Sequence, residues 1–195
     1  MNPQGEPGFS AADGGYLAHL GEVERAVLAE VADQVIELLG GVIPGGELHP
    51  LQTMRLEVGP VSPPPDAALH RLLPDGSRGD PELAAEFRRL TEGDLRATKT
   101  ANLSLLRSLL AEPEAVLPST DAPRVAAAMT DLRLVIAERL GVQTEADAEE
   151  LYQLTLSGGD AADPDDGMRL MLATVSTILG ILLESLIELM TDELP

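Results

Sequence analysis

Residues 120–141 read Thr120-Asp-Ala-Pro-Arg-Val-Ala-Ala-Ala-Met-Thr-Asp-Leu-Arg-Leu-Val-Ile-Ala-Glu-Arg-Leu-Gly141, and their pattern decides the fold class. Asp121 can cap a helix. Pro123 is tolerated in a first turn, where its missing N–H would have no intrahelical partner, and Gly141 can end the helix. Between these marks Val125, Met129, Leu132, Val135, Ile136 and Leu140 recur three or four residues apart, which stacks them on one helical face.

The same grammar extends in both directions. Downstream, Thr144 to Leu156 predicts a shorter acidic helix stopped by Gly158-Gly159. Asp163-Pro164-Asp165-Asp166 then supplies a cap, a first-turn proline and carboxylates suited to the positive end of a helix reaching about Met190. That helix carries Leu172, Val175, Ile178, Leu179, Leu182, Leu186 and Leu189 on one stripe, widened by Met171, Ile181, Ile187 and Met190. A helix apolar nearly all round is buried, centrally or across a subunit interface, so a homodimer through residues 167–190 is an expectation. Its longest uncharged run, Leu170 to Leu183, is fourteen residues. A membrane span needs about 20, so no membrane association is expected.

Upstream, helices are predicted from about Glu92 to Leu110, from Asp80-Pro81 to about Leu90, and from Asp66 to Leu73, with residues 114–118 a short connection. Residues 42–65 contain six prolines and read as an extended surface loop inside the domain. A helix over Glu22–Leu39 places Val23, Val27, Val31, Val35 and Leu38 on its apolar face, and Gly40-Gly41 ends it. Asp13-Gly14-Gly15 between short apolar runs predicts a β-hairpin. The expected fold is mainly α: one domain over residues 1–195, an orthogonal or bundle-like array of six to seven helices with a short N-terminal β-hairpin.

Composition agrees. The chain is 44% hydrophobic and 2% aromatic, so its core must be aliphatic, which suits helix packing. It has no cysteine, which removes disulfides, thiolate catalysis and Cys-ligated zinc. The N-terminal residues show no secretory pattern, and a cytoplasmic location is expected. Thirteen basic against 33 acidic residues give a net charge of −20, which argues against generic binding to nucleic acid or anionic lipid. Residues 71–107, with seven basic and six acidic side chains, are the one near-neutral stretch.

No Gly-x-Ser-x-Gly, His-Glu-x-x-His, Walker or Gly-x-Gly-x-x-Gly motif occurs. His19, His49 and His70 fall in separate elements without ligand spacing, and Asp160, Asp163, Asp165 and Asp166 are explained by helix capping. Neither catalytic residues nor a metal or cofactor site is expected. The informative stretch is Glu86 to Asn102. Helical spacing sets Leu95, Thr98, Asn102, Leu105 and Leu109 on one face, with Asn102 inside an apolar stripe. Arg88, Arg89, Arg96 and Lys99 crowd the same neighbourhood, and Asp131, Arg133, Glu138 and Arg139 offer complements from the following helix. This cluster is either an interhelical latch or a groove for an anion or acidic partner.

Arg71-Leu-Leu-Pro-Asp75, Glu86-Phe-Arg-Arg-Leu-Thr-Glu-Gly-Asp-Leu-Arg96 with Lys99 and Asn102, and Asp131-Leu-Arg-Leu-Val-Ile-Ala-Glu-Arg-Leu-Gly141 resemble an actinobacterial domain-of-unknown-function family, the one numbered two-thousand-and-seventeen. Leu179-Gly-Ile-Leu-Leu-Glu-Ser-Leu186 is similar to its closing helix. The resemblance implies no activity. Because genes of that family commonly neighbour the Clp protease adaptor ClpS, it implies a link to regulated proteolysis by association alone. The expected function is a non-catalytic, cytoplasmic interaction or regulatory protein with a protein partner. The alternatives are a transcription-associated regulator contacting nucleic acid through residues 71–107, and an enzyme with an unidentified carboxylate-based site.

Overall fold

The computed structural model describes residues 7–41, 62–77, 79–157 and 164–192. Most of the proline-rich loop, residues 42–61, therefore lies outside the described residues, as do Gly158, Gly159, Asp160 and Asp163. The described chain runs β1 (Gly8–Ala12), β2 (Gly15–His19), α1 (Glu22–Leu38), α2 (Ala67–Leu72), α3 (Pro81–Ala111), β3 (Val116–Pro118), α4 (Ala122–Arg139), α5 (Glu145–Ser157) and α6 (Pro164–Asp192). Six helices thus pack with one small antiparallel sheet.

The hairpin forms at the expected place, with Ala12 opposite Gly15 and Gly8 opposite His19. Gly14 takes φ +81°, a left-handed conformation that a Cβ would strain. Gly14→Ala should lower unfolding free energy by about 1 kcal/mol in urea titration, and Gly14→Asn should cost less. A third strand, β3, replaces the expected connection at residues 114–118 and pairs Leu117 with Tyr16. Gly15 permits this pairing, because a Cβ there would overlap the Leu117 carbonyl oxygen. Three residues ending in proline are too short for periodicity to announce a strand.

The two helices expected over 80–110 are one. Asp80 Oδ1 accepts from the N–H groups of Glu82 and Leu83 at 3.1 and 3.0 Å, Pro81 occupies the first turn, and α3 continues to Ala111. Nothing at Leu90–Glu92 breaks a helix. Gly93 costs about 1 kcal/mol against alanine, and the i,i+4 pairs Arg88–Glu92 and Glu92–Arg96 span the junction.

The core joins Leu28, Val31, Ala32, Val35 and Ile36 of α1 to Leu103, Leu106 and Leu110 of α3, Met129, Leu132 and Ile136 of α4, and Leu179, Leu182 and Leu186 of α6. The α1 face is rotated from the expected one, and Val23 is exposed. An i,i+4 column such as Val23–Val27–Val31–Val35 drifts about 40° per step around a 3.6-residue helix, so it cannot stay on one buried face. The observed set Leu28–Val31/Ala32–Val35/Ile36–Leu39 straddles the three- and four-residue steps from turn to turn and holds its bearing.

Among the described residues α6 is the one helix long and apolar enough to cross a membrane by length and composition, since between Arg169 and Asp192 only Glu184 and Glu188 are charged. Its inner face packs on α4 and β1. Ser185 Oγ accepts from the Phe9 N–H at 3.0 Å and donates to the Leu182 carbonyl at 3.0 Å, fastening the helix to the sheet. Withdrawing α6 would strip Val175, Leu179, Leu182 and Leu186 from the core.

Candidate functional site

The seam that α3 buries is ionic in its first half and apolar in its second. Arg88, Glu92, Arg96, Lys99, Leu103, Leu106 and Leu110 follow one another at threes and fours. Arg88 is buried to 4% side-chain exposure. Its guanidinium donates to Asp75 Oδ1 at 2.6 Å, Glu92 Oε2 at 2.7 Å and the Leu73 carbonyl at 3.3 Å, drawing the end of α2 against α3. Arg96 donates to Glu92 Oε1 at 2.8 Å and to the carbonyl of Leu39 at 3.0 Å, so a cation meets the negative end of α1. Lys99 Nζ lies 2.6 Å from Oδ1 of Asp131, a buried residue of α4. Four elements are therefore tied by one row of α3 side chains.

The electrostatics follow from these contacts. Burial pushes the Glu92 carboxyl up, but hydrogen bonds from Arg88 and Arg96 outweigh it and hold it below the ordinary range. The Arg88 hydrogen bond likewise lowers Asp75. Asp131 goes the other way. Its burial raises the carboxyl, and the hydrogen bond and charge of Lys99 offset only part of that.

The remaining candidates sit elsewhere. Among the described residues Arg89 pairs only along its own helix, with Glu86 at 2.6 Å, and is exposed. Arg139 reaches Asp66 Oδ2 at 2.7 Å, beside the Arg71–Glu138 pair at 2.9 Å, joining α4 to α2. Arg133 is exposed and joins no ion pair among the described residues. Asn102 is half-buried rather than enclosed, its Oδ1 accepting from Arg124 Nε at 3.2 Å near the surface. Of the expected stripe, Leu109 is buried in the core and Leu105 packs against it, whereas Leu95 and Thr98 face solvent where the charged row faces inward. His19 bonds Ser10 at 2.7 Å, His70 stands 3.6 Å from Asp75, and His49 lies outside the described residues. Among the described residues no three metal-capable side chains gather.

A second feature went unread in the sequence. Between α1, the end of α4 and the start of α6 lies an open groove of about 830 Å³. Val27, Val31, Val35 and Leu38 form one wall, Val135 and Ile136 the floor, and Met168, Met171 and Leu172 the other wall. Glu30, Gln34 and Glu37 line its α1 edge and Arg139 the α4 edge. Met168 and Met171 are 57% and 39% exposed at its mouth. The available signal was excess: the valine column of α1 and the apolar girth of α6 are wider than one buried face requires.

Helices held by an internal ionic seam, with a small sheet at one end and an apolar groove on the surface, define a mainly helical domain. The family model described as Domain of unknown function (DUF2017) matches residues 5–190, and the chain belongs to that family. No curated protein and no solved structure matches it.

Proposed function

We propose that this domain is a non-catalytic interaction or regulatory protein of the cytoplasm, binding a protein partner through the groove of α1, α4 and α6. The observation that carries this reading is the groove itself, about 830 Å³ of mainly aliphatic lining with two methionines held out at its mouth. Apolar surface of this kind is costly to leave in water and marks contact sites. The charged cluster of α3 supports the reading indirectly, because Arg88, Arg96 and Lys99 have partners within the chain. The net charge of −20 disfavours a nucleic-acid partner. The link to Clp-type regulated proteolysis rests on the family resemblance alone.

The test is capture from native lysate on the immobilised chain beside its Met168→Asp/Met171→Asp variant, both side chains being exposed enough for the fold to tolerate the change. Proteins retained by the parent and lost at least about tenfold from the variant are expected, a difference of about 1.4 kcal/mol. Identical profiles would sink the groove reading.

The outer face of α6 favours a second contact. Ile181 and Ile187 are exposed there among the described residues, which suits a homodimer through residues 167–190. Sedimentation equilibrium should then show a dimer that Ile181→Glu/Ile187→Glu converts to monomer. A parent that sediments as a monomer throughout the concentration series removes this contact.

A further inference from the structure

The groove's chemistry is more specific than its volume, and on the reading that it binds a partner, we propose that its occupant is an amphipathic helix of another protein whose apolar stripe is bordered by lysine or arginine. The cleft is open along one side and walled by helices, the form that receives a helix laid in a groove rather than a small enclosed ligand. A helix with its side chains is about 10–12 Å wide and presents anchors every three or four residues. Met168 and Met171 are unbranched and adjust to such anchors more readily than β-branched side chains.

Charge selects the class of helix. Glu30 and Glu37 stand on the exposed edge of α1, seven residues and so about 10 Å apart, with Gln34 between them donating to Glu30 at 3.1 Å. They match two cations placed two turns apart on an incoming helix. The cation of the lining, Arg139, is already paired with Asp66 at 2.7 Å, and among the described residues no ion pair engages Glu30 or Glu37. The whole chain, at −20, draws a basic segment in and repels an acidic helix.

The probes are three designed 18-residue peptides: a Leu/Lys amphipathic helix, its Leu/Glu counterpart, and a Lys-matched peptide with the leucines scrambled off one face. Each is titrated into the full chain carrying 13C-methyl methionine. The Leu/Lys helix should shift the Met168 and Met171 methyl signals, bind at least about tenfold tighter than either control, and weaken about tenfold between 0.05 and 0.3 M salt. Glu30→Lys/Glu37→Lys, at two exposed positions, should melt like the parent, lose about tenfold in affinity for the Leu/Lys helix and gain the Leu/Glu one.

Equal binding of the acidic helix or of the scrambled peptide, methyl shifts confined to other methionines, or indifference to the charge reversal would each overturn the inference. Its failure is distinguishable from that of the broader reading. If the peptides fail while lysate capture still depends on Met168 and Met171, the groove binds something else. If both fail, neither reading stands.

Discussion

Arg88→Ala should lower the unfolding free energy by about 3 kcal/mol, whereas Arg89→Ala, one residue further on, should leave the urea transition where it is. The two arginines are equivalent in composition and opposite in placement. Arg88 is almost wholly buried and makes three hydrogen bonds, two of them to carboxylates on different segments. Truncation opens a cavity where its stem lay and leaves the Leu73 carbonyl without its donor. It also leaves Glu92, itself only 13% exposed, with Arg96 as its one cation. Removing one member of a buried ionic group is expensive because the others keep their desolvation cost. Arg89 pairs in solvent with Glu86 and gives up nothing buried. Arg88→Met, which retains volume, should fall between the two. Coincident transitions for Arg88→Ala and Arg89→Ala would show that the seam contributes nothing to folding.

The contrast shows what the sequence could and could not disclose. Local signals were legible because their physics is local. Asp66 accepts from Leu69 N–H, Asp80 caps α3, and Gly14 and Gly141 take positive φ where turns and helix ends were read. That Arg88, Arg96 and Lys99 lie in one neighbourhood was also readable, since helical spacing alone aligns them. Their inward direction was not. A charged row is read as solvated unless its partners are known, and the partners Asp75, Leu39 and Asp131 arrive from elements 13 to 57 residues away. Arg133 shares a helix with Asp131 and Arg139 but points to solvent, and Asn102 sits half-buried at the edge of the stripe, distinctions that spacing alone does not make. The groove was illegible for a different reason. It exists only where α1, α4 and α6 diverge, and no single helix records how far apart its neighbours stand.

Lys99→Met should cost about 3 kcal/mol at pH 7, and the loss should shrink as the solution is acidified. Lys99 contacts Asp131 at 2.6 Å, and Asp131 is only 5% exposed on the face that α4 turns toward α3. Burial already raises the Asp131 carboxyl above its ordinary 3.8, with Lys99 opposing the rise. Without the cation the rise is larger, and at neutral pH the folded protein holds an unpaired buried carboxylate. A carboxyl whose folded pKa is raised binds its proton more tightly in the folded state. It favours folding fully below the unfolded value and loses that contribution as pH rises through the folded value. The gap between parent and variant is therefore widest at pH 7 and closes as pH falls through the raised folded pKa of Asp131. Glu92 and Asp75, held low by their arginines, contribute with the opposite sign. Their stabilisation is present above the unfolded carboxylate range and fades only as pH drops through their depressed folded values, so it does not mask the closing gap. Lys99→Met/Asp131→Leu removes both charges and should regain most of the loss, since a buried pair exchanged for apolar groups is often neutral in stability. Urea titrations of the three proteins from pH 7 to pH 4.5 decide it. A gap that does not narrow toward acid pH, or a double variant no better than Lys99→Met, would mean that the Asp131 carboxylate reaches water in the folded protein and the pair is not the buried contact on which α3 and α4 meet.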